Sequence, residues 1–166
     1  MDLDVFRLTW EEEATMLARV LVGVVAGAIV GFERRRSGKR AGVRTVALVS
    51  MGAATFTVIS VWGFEAHDTA RVAAQIVSGV GFLGAGTILR YRGEVLGLTT
   101  AATIWVSAAL GMAAGAGLYV LALGGALIAT GVTALLPHDV PGMRTTEPIA
   151  GLGDLDDVDE ADDGPI

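Results

Sequence analysis

At 166 residues the chain suits one compact domain; 52% of it is hydrophobic, and its 18% charged residues fall below the ~25% of an ordinary soluble domain. With a mean hydropathy of +0.59, this composition argues against a soluble enzyme. The absence of cysteine excludes disulfides, thiolate metal sites, iron–sulfur clusters and a cysteine nucleophile, while the net charge of −6 excludes little because the charge is segregated along the chain.

Residues 1–13 are acidic, with Arg7 against Asp2, Asp4, Glu11, Glu12 and Glu13. A secretory signal needs a basic start, so this segment is expected to be an extracytoplasmic N-terminus. Five apolar stretches follow, over about residues 14–32, 45–64, 72–89, 98–114 and 116–136. At 1.5 Å per residue each matches a hydrocarbon core about 30 Å thick. None alternates with period two, which argues against a membrane barrel. The expected architecture is an all-α, polytopic membrane bundle of about five transmembrane helices. The last two stretches are separated only by Ala113-Ala114-Gly115-Ala116-Gly117, where glycine permits a tight hairpin. A single kinked element there would reduce the count to four.

Basic residues set the expected orientation. The connection after the first stretch carries Arg34, Arg35, Arg36, Lys39, Arg40 and Arg44, and the one after the third carries Arg90 and Arg92. The positive-inside rule places both in the cytoplasm, so five helices put the N-terminus outside and the C-terminus inside. Residues 137–166 turn acidic and poor in apolar side chains, and are expected to form a disordered cytoplasmic tail. The predicted topology sets this tail on the side of the basic loop, where attraction between them would be screened by salt.

Several constellations stand out. Gly23, Gly27 and Gly31 share one face of the first stretch, for packing within the subunit or between two copies. Gly79-Val80-Gly81-Phe82-Leu83-Gly84 spells a dinucleotide fingerprint, but no strand precedes it and Ile104 stands about where the acidic partner belongs. Gly79, Gly81, Gly84 and Gly86 are instead expected on a crowded or partly unwound third helix. His67-Asp68 and His138-Asp139 would lie on opposite sides of the membrane and cannot share a metal ion. Asp68, Arg71 and Gln75 share a helical face at the outer end of the third stretch. At the inner end Glu33, Arg34, Arg44, Thr45, Thr99 and Thr100 are expected close together. The basic loop there suits anionic lipid or another anion; nucleic acid is not an expected partner. No catalytic set emerges.

Five segments in order resemble the MgtC/SapB family: Gly31-Phe32-Glu33-Arg34, Ala41-Gly42-Val43-Arg44-Thr45, Asp68-Thr69-Ala70-Arg71-Val72-Ala73-Ala74-Gln75, Gly81-Phe82-Leu83-Gly84-Ala85-Gly86 and Gly97-Leu98-Thr99-Thr100-Ala101-Ala102-Thr103-Ile104-Trp105. The resemblance covers about residues 14–136. It implies an inner-membrane, multi-pass protein linked to magnesium homeostasis, and makes Glu33, Arg34, Arg44, Asp68, Arg71, Gln75, Thr99 and Thr100 the polar positions of interest. Many such proteins continue into a soluble domain resembling ligand-binding ACT domains, where this chain offers an acidic tail. The expected role is a non-enzymatic regulatory subunit acting on another membrane protein, with the lipid bilayer and a second copy as further partners. The alternative is a transporter or channel for Mg²⁺ or another ion. No cofactor is evident, and Mg²⁺ has no ligand cluster to hold it. The spans contain one formal charge, Arg19, and the basic loop sums to +5 once Glu33 is included, which would repel a divalent cation.

Overall fold

A computed structural model describes residues 8–63, 69–91 and 94–136. They form five α-helices, α1 (Trp10–Arg36), α2 (Val43–Trp62), α3 (Thr69–Ala85), α4 (Leu98–Gly115) and α5 (Tyr119–Leu135). Two short strands, β1 (Leu89–Tyr91) and β2 (Glu94–Leu96), pair antiparallel between α3 and α4, with Arg90 opposite Val95. Three of the helices, α1, α2 and α4, are long and apolar enough to cross a membrane, while α3 and α5 are shorter apolar helices.

Local chemistry explains the ends of α1. Thr9 and Glu12 form a reciprocal capping box, with the Thr9 backbone N–H donating to Glu12 Oε2 at 2.8 Å and the Glu12 N–H to Thr9 Oγ1 at 3.3 Å. Glu11, Glu12 and Glu13 occupy the positive end of the helix dipole and Arg34, Arg35 and Arg36 the negative end. The chain then turns through Gly38, whose φ of 67° suits glycine. Helix α1 thus extends beyond the apolar stretch at both ends, because capping and charge continue it into the polar flanks.

The centre of the bundle is α1, α2 and α4, joined by backbone contact rather than by large side chains. Along α1, a Cβ on Gly27 would stand 2.7 Å from Ser50 Cβ, and one on Gly31 would stand 2.7 Å from Val43 Cα. From the other side, Gly111 of α4 meets the Ser50 carbonyl and Gly115 the Ala54 carbonyl. The Ser50 hydroxyl donates to the Gly23 carbonyl at 2.7 Å inside this seam. The glycine face of α1 is therefore spent within the subunit. Helix α3 packs against α4 and α2, and α5 against α1 and α4.

Side-chain size is distributed as a bilayer demands. The fully buried positions include Ala26, Ala54, Ala114, Ala122 and Ala126, while Phe32, Phe56, Phe82, Val120 and Leu135 are exposed. Small residues inside bring helices close, and large apolar ones outside meet lipid at no hydrophobic cost.

Two expectations need correction. The third helix was expected to be crowded or unwound at its glycines, yet α3 is continuous through Gly79, Gly81 and Gly84. A Cβ on Gly79 or Gly81 would meet nothing within 4 Å, and only Gly84 lies against α4, 3.5 Å from the Ala101 carbonyl. In an apolar medium the backbone has no competing partner, so the helical ladder survives its glycines. The third stretch was also expected to reach residue 89, but α3 ends at Ala85, Gly86 stands in the turn beyond it, and Leu89 begins β1. The helical hairpin at the fourth and fifth stretches is present, turning at Gly117 with φ 85°. The acidic N-terminal residues 1–7, the His67-Asp68 and His138-Asp139 pairs and the tail at 137–166 lie outside the described residues.

Candidate functional site

The polar residues gather where α1 ends and α2 and α4 begin. Glu33 and Arg34 are both buried, at 9% and 1% exposure, in the last two turns of α1. Burying charge is costly unless partners meet it. Glu33 accepts hydrogen bonds from Ser37 Oγ and Thr133 Oγ1, each at 2.7 Å, which ties the end of α1 to α5. Arg34 turns the other way. Its Nη2 donates to Thr100 Oγ1 of α4 across a long 3.4 Å, while its Nε and Nη1 are buried without a hydrogen-bond partner.

Thr100 lines a cavity of about 470 Å³ at this end of the molecule, together with Lys39, Arg40, Thr45, Thr87 and Gly97. Its walls come from the α1–α2 turn, the first turn of α2, the turn after α3, and the start of α4. Gly97 makes the last approach possible. It sits at φ 89° with its α-carbon against the Thr87 carbonyl, so a side chain is excluded by conformation and by space. Both α2 and α4 begin without a side-chain cap and without an acidic residue in the first turn. Their unpaired N–H groups and dipoles add partial positive charge beside Lys39 and Arg40.

The expected inner cluster is therefore assembled in part. Arg34 and Thr100 are joined, Glu33 engages α5, and Thr45 lies across the cavity. Arg44 is exposed on α2, and Thr99 is exposed with its carbonyl accepting from Thr103 Oγ1 at 2.7 Å. On the other face of the bundle, Arg71 and Gln75 are exposed on α3, while Asp68 is outside the described residues. Gln75 lines a second cavity of about 500 Å³, an apolar groove between α2 and α3 formed with Leu48, Gly52, Phe56, Gly79 and Leu83.

Thr87 and Thr133 escaped sequence reasoning, and Lys39 and Arg40 were read only as part of the basic loop. Arg19 was visible as an intramembrane charge, but its partners were not. Its Nη1 donates to the Gly115 carbonyl at 3.1 Å and its guanidinium lies 4.3 Å from the Trp62 ring centroid. It caps the C-terminus of α4 and belongs to the scaffold.

Comparison with known proteins adds an independent line. The model described as MgtC family matches residues 20–139. The chain is 43% identical over 123 residues to the Escherichia coli K12 protein named "Putative magnesium transporter YhiD", covering 69% of this chain and 57% of that relative. It is 45% identical over 129 residues to Protein MgtC of Brucella abortus, covering 78% of this chain and 54% of that relative. The chain thus spans about half the length of the curated relatives it matches. No solved structure matches it.

Proposed function

The chain belongs to the MgtC family, and on that premise we propose that it is a multi-pass protein of the inner cell membrane that serves magnesium homeostasis as a non-enzymatic regulatory subunit of another membrane protein. The observation that carries this reading is the groove between α2 and α3. Its wall has open space beside Gly52 and Gly79, enough for the backbone of a further helix to approach. It also presents Gln75, a polar side chain on an apolar surface, where a hydrogen bond from a neighbouring helix would satisfy it. The bundle's basic end faces the cytoplasm in this reading, by the positive-inside rule.

The relative's name favours a second reading, transport of Mg²⁺. Lys39, Arg40 and two uncapped helix starts around the polar cavity weigh against it, because they raise the local potential where a divalent cation would pass.

Photocrosslinking from Leu83, an exposed residue of the groove wall, in native membranes tests the regulatory reading. A heterologous membrane protein should be captured, and Gly79→Leu, which fills the groove, should abolish both the capture and growth at low Mg²⁺. Purified protein in liposomes should carry no Mg²⁺. Flux that depends on Gln75 or Asp68 would establish a transporter instead.

A further inference from the structure

We propose that the cavity at the basic end of the bundle is a binding site for a phosphate group with net negative charge, carried either by an anionic lipid headgroup or by free phosphate. The inference stands on the cavity itself and is independent of the regulatory reading.

Four features of its wall point the same way. Lys39 and Arg40 supply full positive charges, and none of the described lining residues is acidic. Thr45, Thr87 and Thr100 bring hydroxyl groups to the same space. The Thr87 hydroxyl gives its proton to the Gly84 carbonyl at 2.8 Å, so it has none to offer an anion and only shapes the wall. Thr100 is arranged oppositely: its oxygen accepts from buried Arg34, so its proton is left to donate. The N-terminal turns of α2 and α4 reach the wall at Thr45 and at Gly97 and Thr100, with no carboxylate or side-chain cap to occupy their N–H groups. Phosphate is the anion that uses such an arrangement fully, because its several oxygens accept from helix starts, hydroxyls and cations at once.

Arg34 strengthens the case. Orienting the protein in the membrane requires arginine only in a loop, where water keeps it solvated. Here an arginine is buried at 1% exposure, with two nitrogens unpartnered and the third directed at the cavity wall through Thr100. The Glu33 carboxylate meets part of this charge, but burial with two nitrogens lacking hydrogen bonds remains costly, and an anion in the adjoining cavity offsets it through the polarised Thr100 hydroxyl. The cavity, at about 470 Å³, holds a phosphate with water around it or the end of a lipid headgroup.

The test uses the full chain in phosphatidylcholine nanodiscs. Inorganic phosphate is titrated calorimetrically at constant ionic strength. In parallel, native mass spectrometry compares retention of phosphatidylglycerol with phosphatidylcholine. Two double variants are made, Lys39→Gln with Arg40→Gln, and Arg35→Gln with Arg36→Gln. Both remove two charges from the exposed basic end, and circular dichroism verifies the fold of each. Saturable binding of either probe is expected, weakened about tenfold in the Lys39/Arg40 variant and changed by less than about twofold in the Arg35/Arg36 variant. Binding of inorganic phosphate identifies a soluble ligand, and selective retention of phosphatidylglycerol identifies the headgroup. Absence of saturable binding by both probes overturns the proposal, as does equal loss in the two variants, which would reduce it to surface charge.

Discussion

Ser50 is a single residue at which three helices meet. Its side chain bonds to Gly23 of α1 and its carbonyl lies against Gly111 of α4. Gly111→Ala places a methyl group on that carbonyl and should destabilise the purified protein by about 1–3 kcal/mol. Gly52→Ala, where a Cβ meets nothing within 4 Å, should be neutral or mildly stabilising. Thermal unfolding in one detergent, run on both variants, separates the two cases. Arg19 offers a second check at this scale. A double-mutant cycle with Arg19→Gln and Trp62→Leu should show a coupling of about 0.5–2 kcal/mol. Zero coupling would mean that the 4.3 Å approach contributes nothing. The four-residue spacing made the glycine face of α1 legible, because helical period alone aligns those positions. The partners of Arg19 were not legible, since Gly115 is 96 residues away along the chain. The same holds for the sharing of Glu33 with Thr133, which is 100 residues away and becomes a neighbour only when α5 packs on α1.

Among elements, the α4–α5 turn tests how much one glycine decides. Gly117 adopts φ 85°, and a Cβ there would also stand 2.9 Å from Arg19 Nη1. Gly117→Ala should cost about 1–2 kcal/mol from backbone strain alone, and more if the Arg19 guanidinium is displaced from Gly115. Combining it with Arg19→Gln should recover that additional part, measurable as non-additive unfolding free energies. Apolar runs indicated every helix, but the limits came from turn chemistry. Residues 88–89 are apolar and read as a continuation of α3, yet the alternation through Leu89, Arg90, Tyr91 and on to Val95 builds a hairpin. A hydropathy criterion tuned to spans of about 20 residues absorbs a strand of three. The glycines of α3 misled in the opposite direction. Their number suggested a break, but glycine spacing cannot distinguish a helix awaiting a neighbour from one that has come apart.

For the whole molecule, composition and loop charge were sufficient to indicate a membrane bundle of five helices, because a bilayer leaves few ways to satisfy a backbone. The phosphate cavity needed the third dimension: its cations, hydroxyls and helix starts come from four separate parts of the chain. Helix lengths also vary across the bundle. The apolar part of α1, residues 14–32, spans about 28 Å, close to the ~30 Å of a typical hydrocarbon core. In α3 the apolar helix after Arg71 runs only over 72–85, or about 21 Å, and the apolar stretch continues to residue 89 as turn and strand, whose backbone groups suit hydrocarbon poorly. Lipid beside α3 must thin by several ångströms or leave polar ends immersed, at a cost of a fraction of a kcal/mol per ångström. Reconstitution in a series of phosphatidylcholines should therefore show greatest thermal stability at shorter acyl chains than α1 alone would prefer. The consequence reaches past this one chain. A dimple in the bilayer along the α3 flank draws in any other protein with a short span, since two dimples merged deform less lipid than two apart. The membrane itself would thus help deliver a partner to the groove before any side chain touches it.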